Sequence, residues 1–217
     1  VLSHADTGWA WSALTPTGTA PTARYGHSAV WDAENQQMIV FGGYGSSGSA
    51  IYILRRADTG WAWSAVTPAG TAPTSRGGHS AVWDAENQQM VLFGGGSDPF
   101  RNDVHVLTRV GSGWAWSAVT PTGTAPTARS EHSAVWDAST QQMIVFGGRA
   151  SSPTHLDDVH VLARDGAGWA WSHVAPTGTA PTARREHSAV WDVANQRMVV
   201  FGGSDGSTRR NDVSTLS

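Results

Sequence analysis

Apolar side chains fall along this chain in short runs of distinct kinds. "HSAVWD" (His27 to Asp32) sets β-forming residues between polar ends, whereas "QMIVF" (Gln37 to Phe41) is unbroken, as in a strand buried on both faces. "AIYIL" (Ala50 to Leu54) follows, with "DVHVL" standing in its place twice further on. "WAWSAL" (Trp9 to Leu14) is the fourth type, and the alternation of strand side chains puts Trp9 and Trp11 on one face. No stretch carries a helical period. The pattern predicts an all-β chain of short strands.

The runs recur in register. Trp stands at Trp9, Trp61, Trp114 and Trp169, His at His27, His79, His132 and His187, and the first Gly of a pair at Gly42, Gly94, Gly147 and Gly202. Each series steps by 52, 53 and 55 residues, and length changes fall only between the Gly-Gly and the next apolar run. From Asp6 to Gly43 against Asp58 to Gly95, 32 of 38 positions match, as recent amplification, reconstruction or engineering would leave them. Such likeness disfavours an enzyme, whose active site needs one set of unlike groups in one place.

"DAENQ" reads as a tight turn in which Asp32 accepts hydrogen bonds from backbone amides and Asn35 takes a positive φ. "TPTGTAPTAR" (Thr15 to Arg24) is different, since its prolines and glycine keep it out of a sheet interior. It is long enough to cross four strands, about 14 Å at three strand spacings. Short links within a unit and a long crossing link between units predict a β-propeller of four four-stranded antiparallel blades. A two-layer sandwich gives no reason for a register held through four copies.

The frame of the repeat predicts how the propeller closes. Residues 1–217 form a single domain, with blades at 24–66, 76–119, 129–174 and 184–217. An N-terminal latch strand (1–14) is expected to complete the last blade through residues 9–14, leaving no sheet edge open.

Net charge is −3 with no basic tract, which gives no footprint for nucleic acid or an anionic membrane. Cysteine is absent, and all fourteen basic residues are Arg. Disulfides, thiolate metal sites, cysteine nucleophiles and lysine chemistry are thereby excluded. No signal peptide opens the sequence, and no apolar run approaches the roughly 18 residues needed to span a bilayer, so a soluble domain of unknown compartment is expected.

The Gly-Gly that ends an apolar strand, the Trp of the fourth strand and the run "GTAPTARxxHSAVWD…MIVFGG" together resemble kelch repeats of the bacterial style, over essentially the whole chain. The first unit departs from the pattern, for "SAIYIL" lacks the opening of Asn102-Asp103-Val104 and Asn211-Asp212-Val213. Familiar kelch rings have more than four blades. The resemblance therefore favours a homodimer forming an eight-bladed ring, while the small Ser28 and Ala29 suit a crowded four-fold axis. Both assemblies stay open.

Arg24 begins strand one and Gly42-Gly43 ends strand two, so both lie at one end of the blade. There the copies diverge: "RYGH", "RGGH", "RSEH" and "RREH" on one side, "YGSSGS", "GSDPFRND", "RASSPTHLDD" and "SDGSTRRND" on the other. The opposite turns are nearly constant. Loops that vary on a constant scaffold are where recognition resides. The ligand-binding candidates are Arg24, Tyr25, Tyr44, Arg76, Phe100, Arg129, Glu131, Arg184, Arg185 and Glu186. In kelch adaptors that capture acidic peptides, the resemblance places ligand-binding arginines at Arg24, Arg76, Arg129 and Arg184, where guanidinium groups would fork onto carboxylates. The rival role for these arginines is to satisfy loop carbonyls or neighbouring acids.

The four repeated His could ring a metal ion, but a hydrogen bond to the adjacent blade explains them more simply, and no metal or cofactor is expected. His4, His105, His155, His160 and His173 read as surface residues. The Trp pairs read as blade packing before sugar platforms. The leading function is a non-catalytic scaffold binding a protein or acidic peptide, the alternative a multivalent lectin, and an enzyme is third. The kelch-like copper oxidases need a cysteine that this chain lacks.

Overall fold

The computed structural model describes every residue except 6–7, 46–49, 59, 98, 152–153 and 167. It is all-β. In the first unit Ser28–Asp32, Gln37–Phe41, Ile51–Ala57 and Gly60–Val66 pair antiparallel in chain order. The second unit repeats this with Ser80–Asp84, Gln89–Gly95, Arg101–Val110 and Gly113–Val119. Ser133–Asp137, Gln142–Arg149, His155–Asp165 and Gly168–Val174 form the third. Ser188–Asp192, Arg197–Phe201 and Val213–Leu216 form the fourth. The four small sheets stand side by side about a common axis as the blades of a β-propeller, with first strands touching in succession.

The crossing links add a strand that their composition hides. Thr17–Gly18 runs parallel to the first unit's outermost strand, with Thr17 opposite Ala62 and Gly18 opposite Trp63. Ala69–Gly70 and Thr122–Gly123 do the same one and two units on. A two-residue pairing at the outer edge is what proline-flanked chain permits. Gly18 has φ +85°, and a Cβ there would stand 2.1 Å from the Trp63 carbonyl oxygen. Only glycine fits.

The turns after strand one close on their aspartates. Asp32 Oδ1 accepts from the Asn35 amide at 3.1 Å, and Oδ2 from Asn35 Nδ2 and Gln37 Nε2, each at 2.8 Å. Positive φ falls one residue later than the sequence suggests, at Gln36, Gln88, Gln141 and Gln196. Asn35 is instead held by its side-chain bond to the aspartate.

The core lies between blades. Val30, Phe41 and Ile53 on the forward face of the first blade pack on Met90, Leu107, Trp114 and Trp116 on the rear face of the second. Val82, Phe93 and Val106 meet Met143, Leu162, Trp169 and Trp171 in the same way. At the third joint Val135, Phe146 and Val159 meet Met198, Val200, Trp191 and Leu216. Phe41 lies edge-on to Trp116 at 5.1 Å and Phe93 to Trp171 at 4.9 Å. Burial of about 150–250 Å² per indole, at roughly 25 cal/mol per Å², gives each seated Trp an upper value of several kcal/mol.

One feature of closure differs from expectation. Gly8–Trp11 does not pair with Val213–Leu216. It folds back on Leu2–Ala5 as a hairpin, Leu2 opposite Trp11 and His4 opposite Trp9, and Val1 and Ser12 exchange backbone bonds across its open end. The fourth sheet therefore has three strands, and Trp9 and Trp11 are 69% and 80% exposed. Hairpin closure spans few residues and costs little chain entropy. The fourth and first blades also lack the joint seen elsewhere: His27 and Ser188, which would bond across it, are both exposed.

Candidate binding face

The loop end of each blade is organised by the Arg that starts strand one. Arg76 sends Nε to the Thr74 carbonyl and Nη1 to the Gly94 carbonyl, each at 3.0 Å, and forks onto Asp103 at 2.5 and 2.9 Å. Arg129 forks onto Asp158, both contacts 2.7 Å, and Arg184 onto Asp212 at 2.8 and 2.7 Å. All three are buried. Their donors are consumed inside the blade, so the expectation that Arg76, Arg129 and Arg184 line a ligand-facing mouth gives way to the framework role. Burial raises the Asp103 carboxyl, but hydrogen bonds from His105 and Arg76 outweigh it and hold the group well below the usual carboxylate range. Asp158 is lowered by the same balance, and Asp212 by Arg184 first.

Arg24 tells why the first unit departs from the pattern. The position equivalent to Asp103 is Ala50, and Tyr52 replaces His105. Arg24 keeps its bonds to the Thr22 and Gly42 carbonyls and lies 4.8 Å over the Tyr52 ring, a cation–π contact where the other units hold an acid.

The repeated His joins blades. His79 Nε2 meets Ser28 Oγ at 2.8 Å, and His132 meets Ser80 and His187 meets Ser133, each at 2.7 Å. Burial, then the Arg76 charge, pulls His79 down to about 3. His187 falls to about 4 through burial and Arg184, and His132 lies well below its usual value for like reasons. These imidazoles are neutral joints. His105 and His160 correct the sequence reading that placed them on the surface: both are buried and bond Asp103 and Asp158 at 3.1 and 3.0 Å. Their shared "DVHVL" context is the signal that marks them.

Around the axis the loop end is stitched by backbone. The Gly78 amide donates to the Gly26 carbonyl, Glu131 to Gly78 and Glu186 to Glu131, at 2.8, 2.7 and 2.9 Å. Glu131 and Glu186 take φ near +60°, as Gly26 and Gly78 do at the same place. Just outside this row, each unit ties the residue after its Arg to the residue after its Gly-Gly. The pairs are Tyr25 with Tyr44, Gly77 with Gly96, Ser130 with Arg149, and Arg185 with Ser204. The backbone bond is constant and the side chains are all different.

Those side chains build the face. The Tyr25 and Tyr44 rings lie in contact, tilted 40° to each other with centroids 5.1 Å apart, and the Tyr44 hydroxyl donates to the Gly96 carbonyl at 3.2 Å. Gly77 makes room for the Tyr44 ring, which a Cβ would meet at 2.6 Å. Arg149 lies 5.0 Å over Phe100, and its Nε stands 3.0 Å from Glu131 Oε2. Arg185 reaches the same carboxylate at 2.8 Å. Tyr25, Tyr44, Phe100, Glu131 and Arg149 line an open depression of about 420 Å³. Arg185 and Glu186 border a second with Ser204, Gly206 and Arg209. The fold thus gathers six of the predicted binding residues, leaves Arg24 half-buried at their base, and adds Arg149. Its signal was its place directly after Gly147-Gly148. Residues 46–49, 98 and 152–153 of the divergent loops lie outside the described residues.

Comparison with known proteins places this architecture in a family. The model described as "KLHDC2/KLHL20/DRC7 Kelch-repeats domain" matches residues 5–115 and again 85–217. The chain belongs to the Kelch-repeat family. It is similar to Kelch domain-containing protein 3 of Bos taurus, 32% identical over 93% of this chain and 55% of that protein. It is also similar to Acyl-CoA-binding domain-containing protein 4 of Arabidopsis thaliana, 31% identical over 96% of this chain and 31% of that protein. Serine/threonine-protein phosphatase BSL2 of Arabidopsis thaliana matches at 31% over 92% of this chain and 19% of its own length. The chain spans from about a fifth to a little over half of these relatives. Among the described residues no helix is long and apolar enough to cross a membrane.

Proposed function

We propose that this chain is a non-catalytic protein-interaction scaffold that takes a peptide segment of a partner protein on its loop face, centred on Tyr25, Tyr44 and Phe100 and flanked by Arg149, Glu131 and Arg185. The observation that carries the reading is the backbone bond repeated in every unit with a different pair of side chains on it. A scaffold needs rigidity from the constant part and discrimination from the variable part. Large planar rings give contact area at small entropic cost, and Tyr25 is exposed on this face. Arg149 and Arg185 share one carboxylate, so the face carries little net positive charge, and a segment with apolar anchors suits it better than a strongly acidic one.

The lectin alternative rests on several equivalent Trp sites. Trp114, Trp116, Trp169 and Trp171 are buried in blade joints, which removes the equivalence. The near-identity of the units fits recent amplification of one ancestral repeat.

Panning a displayed random-peptide library against the chain tests the proposal, with counter-selection on a Tyr25→Ser, Tyr44→Ser, Phe100→Ser variant. Peptides that bind the chain and lose at least tenfold on the variant support it. Binders that all keep full affinity for the variant, or enrichment of poly-acidic sequences insensitive to it, overturn it.

A further inference from the structure

The third blade joint is built from the same parts as the first two, with one part missing. In those, a Trp-Ala-Trp strand lies between the third strand of its blade and the Thr-Gly or Ala-Gly of the crossing link. Its indoles reach the Phe of the blade before. At the fourth blade both walls are present. Val213–Leu216 forms one side and the link through Thr177 the other, with Phe146, Val159, Met198 and Pro181 lining a groove of about 130 Å³ between them. Gly178 holds φ +88°, as Gly18, Gly70 and Gly123 hold +85°, +81° and +76°. Those three abut a Trp carbonyl oxygen, and Gly178 has nothing within 4 Å. The groove is shaped for a strand.

A strand of that sequence stands exposed elsewhere on the chain: Trp9-Ala10-Trp11, in the short hairpin. Its crossing link, residues 15–24, matches the others in length and leads to the first blade, so it belongs on whichever blade precedes Ser28–Asp32 around the axis. The chain's own fourth blade does not hold that place, since no bond joins His27 to Ser188 and both are exposed. The two end faces complement each other. Phe201 on the fourth blade is 52% exposed where its equivalent Phe93 is 0%, and Trp31 on the first blade is exposed where Trp83 packs in a joint. Together they are the halves of one more joint.

We propose that a second copy of this chain supplies residues 9–14 to the groove, and that the exchange is mutual, so that two chains form one eight-bladed ring. Repeat equivalence sets the register: Leu216 faces Trp11, Thr215 faces Ser12 and Val213 faces Leu14 on one edge, while Thr177 and Gly178 face Ala10 and Trp11 on the other. The exchange opens the four-residue pairing with Leu2–Ala5 and the two backbone bonds between Val1 and Ser12. Four indoles at about 150–250 Å² each contribute ~600–1,000 Å². With the apolar end faces around Phe201, Val190, Val213 and Trp31, the two seams reach the roughly 1,200–2,000 Å² of a stable interface. A head-to-tail contact closes into a ring when its rotation divides the circle, and eight blades is within the range that propellers adopt.

Light scattering on the 217-residue chain at micromolar concentration should give twice the 22.9 kDa chain mass. Gly178→Ala places a methyl where the incoming Trp11 carbonyl must sit, and should return a folded particle of single-chain mass with unchanged far-ultraviolet circular dichroism. Because the chain has no cysteine, a Ser12→Cys, Thr215→Cys variant reads the pairing directly on oxidation. A band of two chains on a denaturing gel supports the proposal. A cross-linked single chain shows closure within one molecule, a ladder shows open polymerisation, and no cross-link removes the strand from the groove. Each of these three outcomes, like a single-chain mass for the unmodified protein, overturns it.

Discussion

Acid should loosen the blade joints through their histidines, well before the carboxylates titrate. His79 is held near 3 and His187 near 4, chiefly by burial and then by the neighbouring Arg76 and Arg184. In the unfolded chain both return to about 6.5. Below that pH the unfolded state binds more protons than the folded one, so stability is highest above 6.5 and falls as pH drops toward the folded values. At pH 5 each group has given up about 2 kcal/mol relative to pH 7, from 1.36 kcal/mol per unit over the 1.5 units below 6.5. The two together remove about 4 kcal/mol, a large share of an ordinary domain stability. His132 and His160 are lowered too and act in the same direction. Asp103, Asp158 and Asp212 do not contribute in this window: their pKa values are depressed, so their stabilisation persists above about 3.8 and is lost only as pH falls further. Urea titrations at half-unit steps from pH 7.5 to 5, followed by tryptophan fluorescence, measure the slope. His79→Gln keeps a hydrogen-bonding group opposite Ser28 but cannot protonate, and should flatten the slope by about one proton. Equal stability at pH 7 and pH 5, or an unchanged slope in His79→Gln, would refute the reasoning.

Asp158→Ala strands the buried Arg129 guanidinium and should cost about 3 kcal/mol, the low end for a broken buried pair because Asp158 is partly exposed; thermal and urea melts check it. Ala50→Asp gives Arg24 the partner that its repeats possess and should raise stability by up to about 1 kcal/mol in the same melts, with no gain in an Arg24→Met background. Gly123→Ala forces a methyl to 2.2 Å from the Trp171 carbonyl oxygen at φ +76°, and should destabilise by at least about 2 kcal/mol and raise hydrogen exchange at Thr122 and Trp171.

Much of the architecture was legible along the chain because its causes are local. Strand periodicity, the Asp that closes each turn, and the Gly-Gly after an apolar run act over a few residues, and four repetitions separate signal from accident. The Tyr25, Tyr44, Phe100 and Glu131 cluster was legible in a weaker sense. Divergence within a constant frame marked the face, but not which side chains would converge on it. Arg149 went unseen because its meaning lies in Phe100 and Glu131, respectively 49 and 18 positions away in sequence. His105 and His160 were misjudged since a polar residue in a strand looks exposed until its acid partner is known. For the strand-start arginines the sequence offered both a ligand-binding and a framework role, and could not name the acids that decide for the second, since Asp103, Asp158 and Asp212 lie 27, 29 and 28 residues away.

By itself the sequence determined the blade: the order of its four strands, the aspartate that closes each turn and the long link that crosses to the next unit. Only the tertiary structure decided which groups the blade faces meet, and so which arginines are spent and which histidines are neutral. It alone decided where the first tryptophan strand lies. Four nearly identical strands have nearly equal intrinsic affinity for any edge of the right shape, and the choice among edges is made by distance and chain connectivity, which no local pattern encodes.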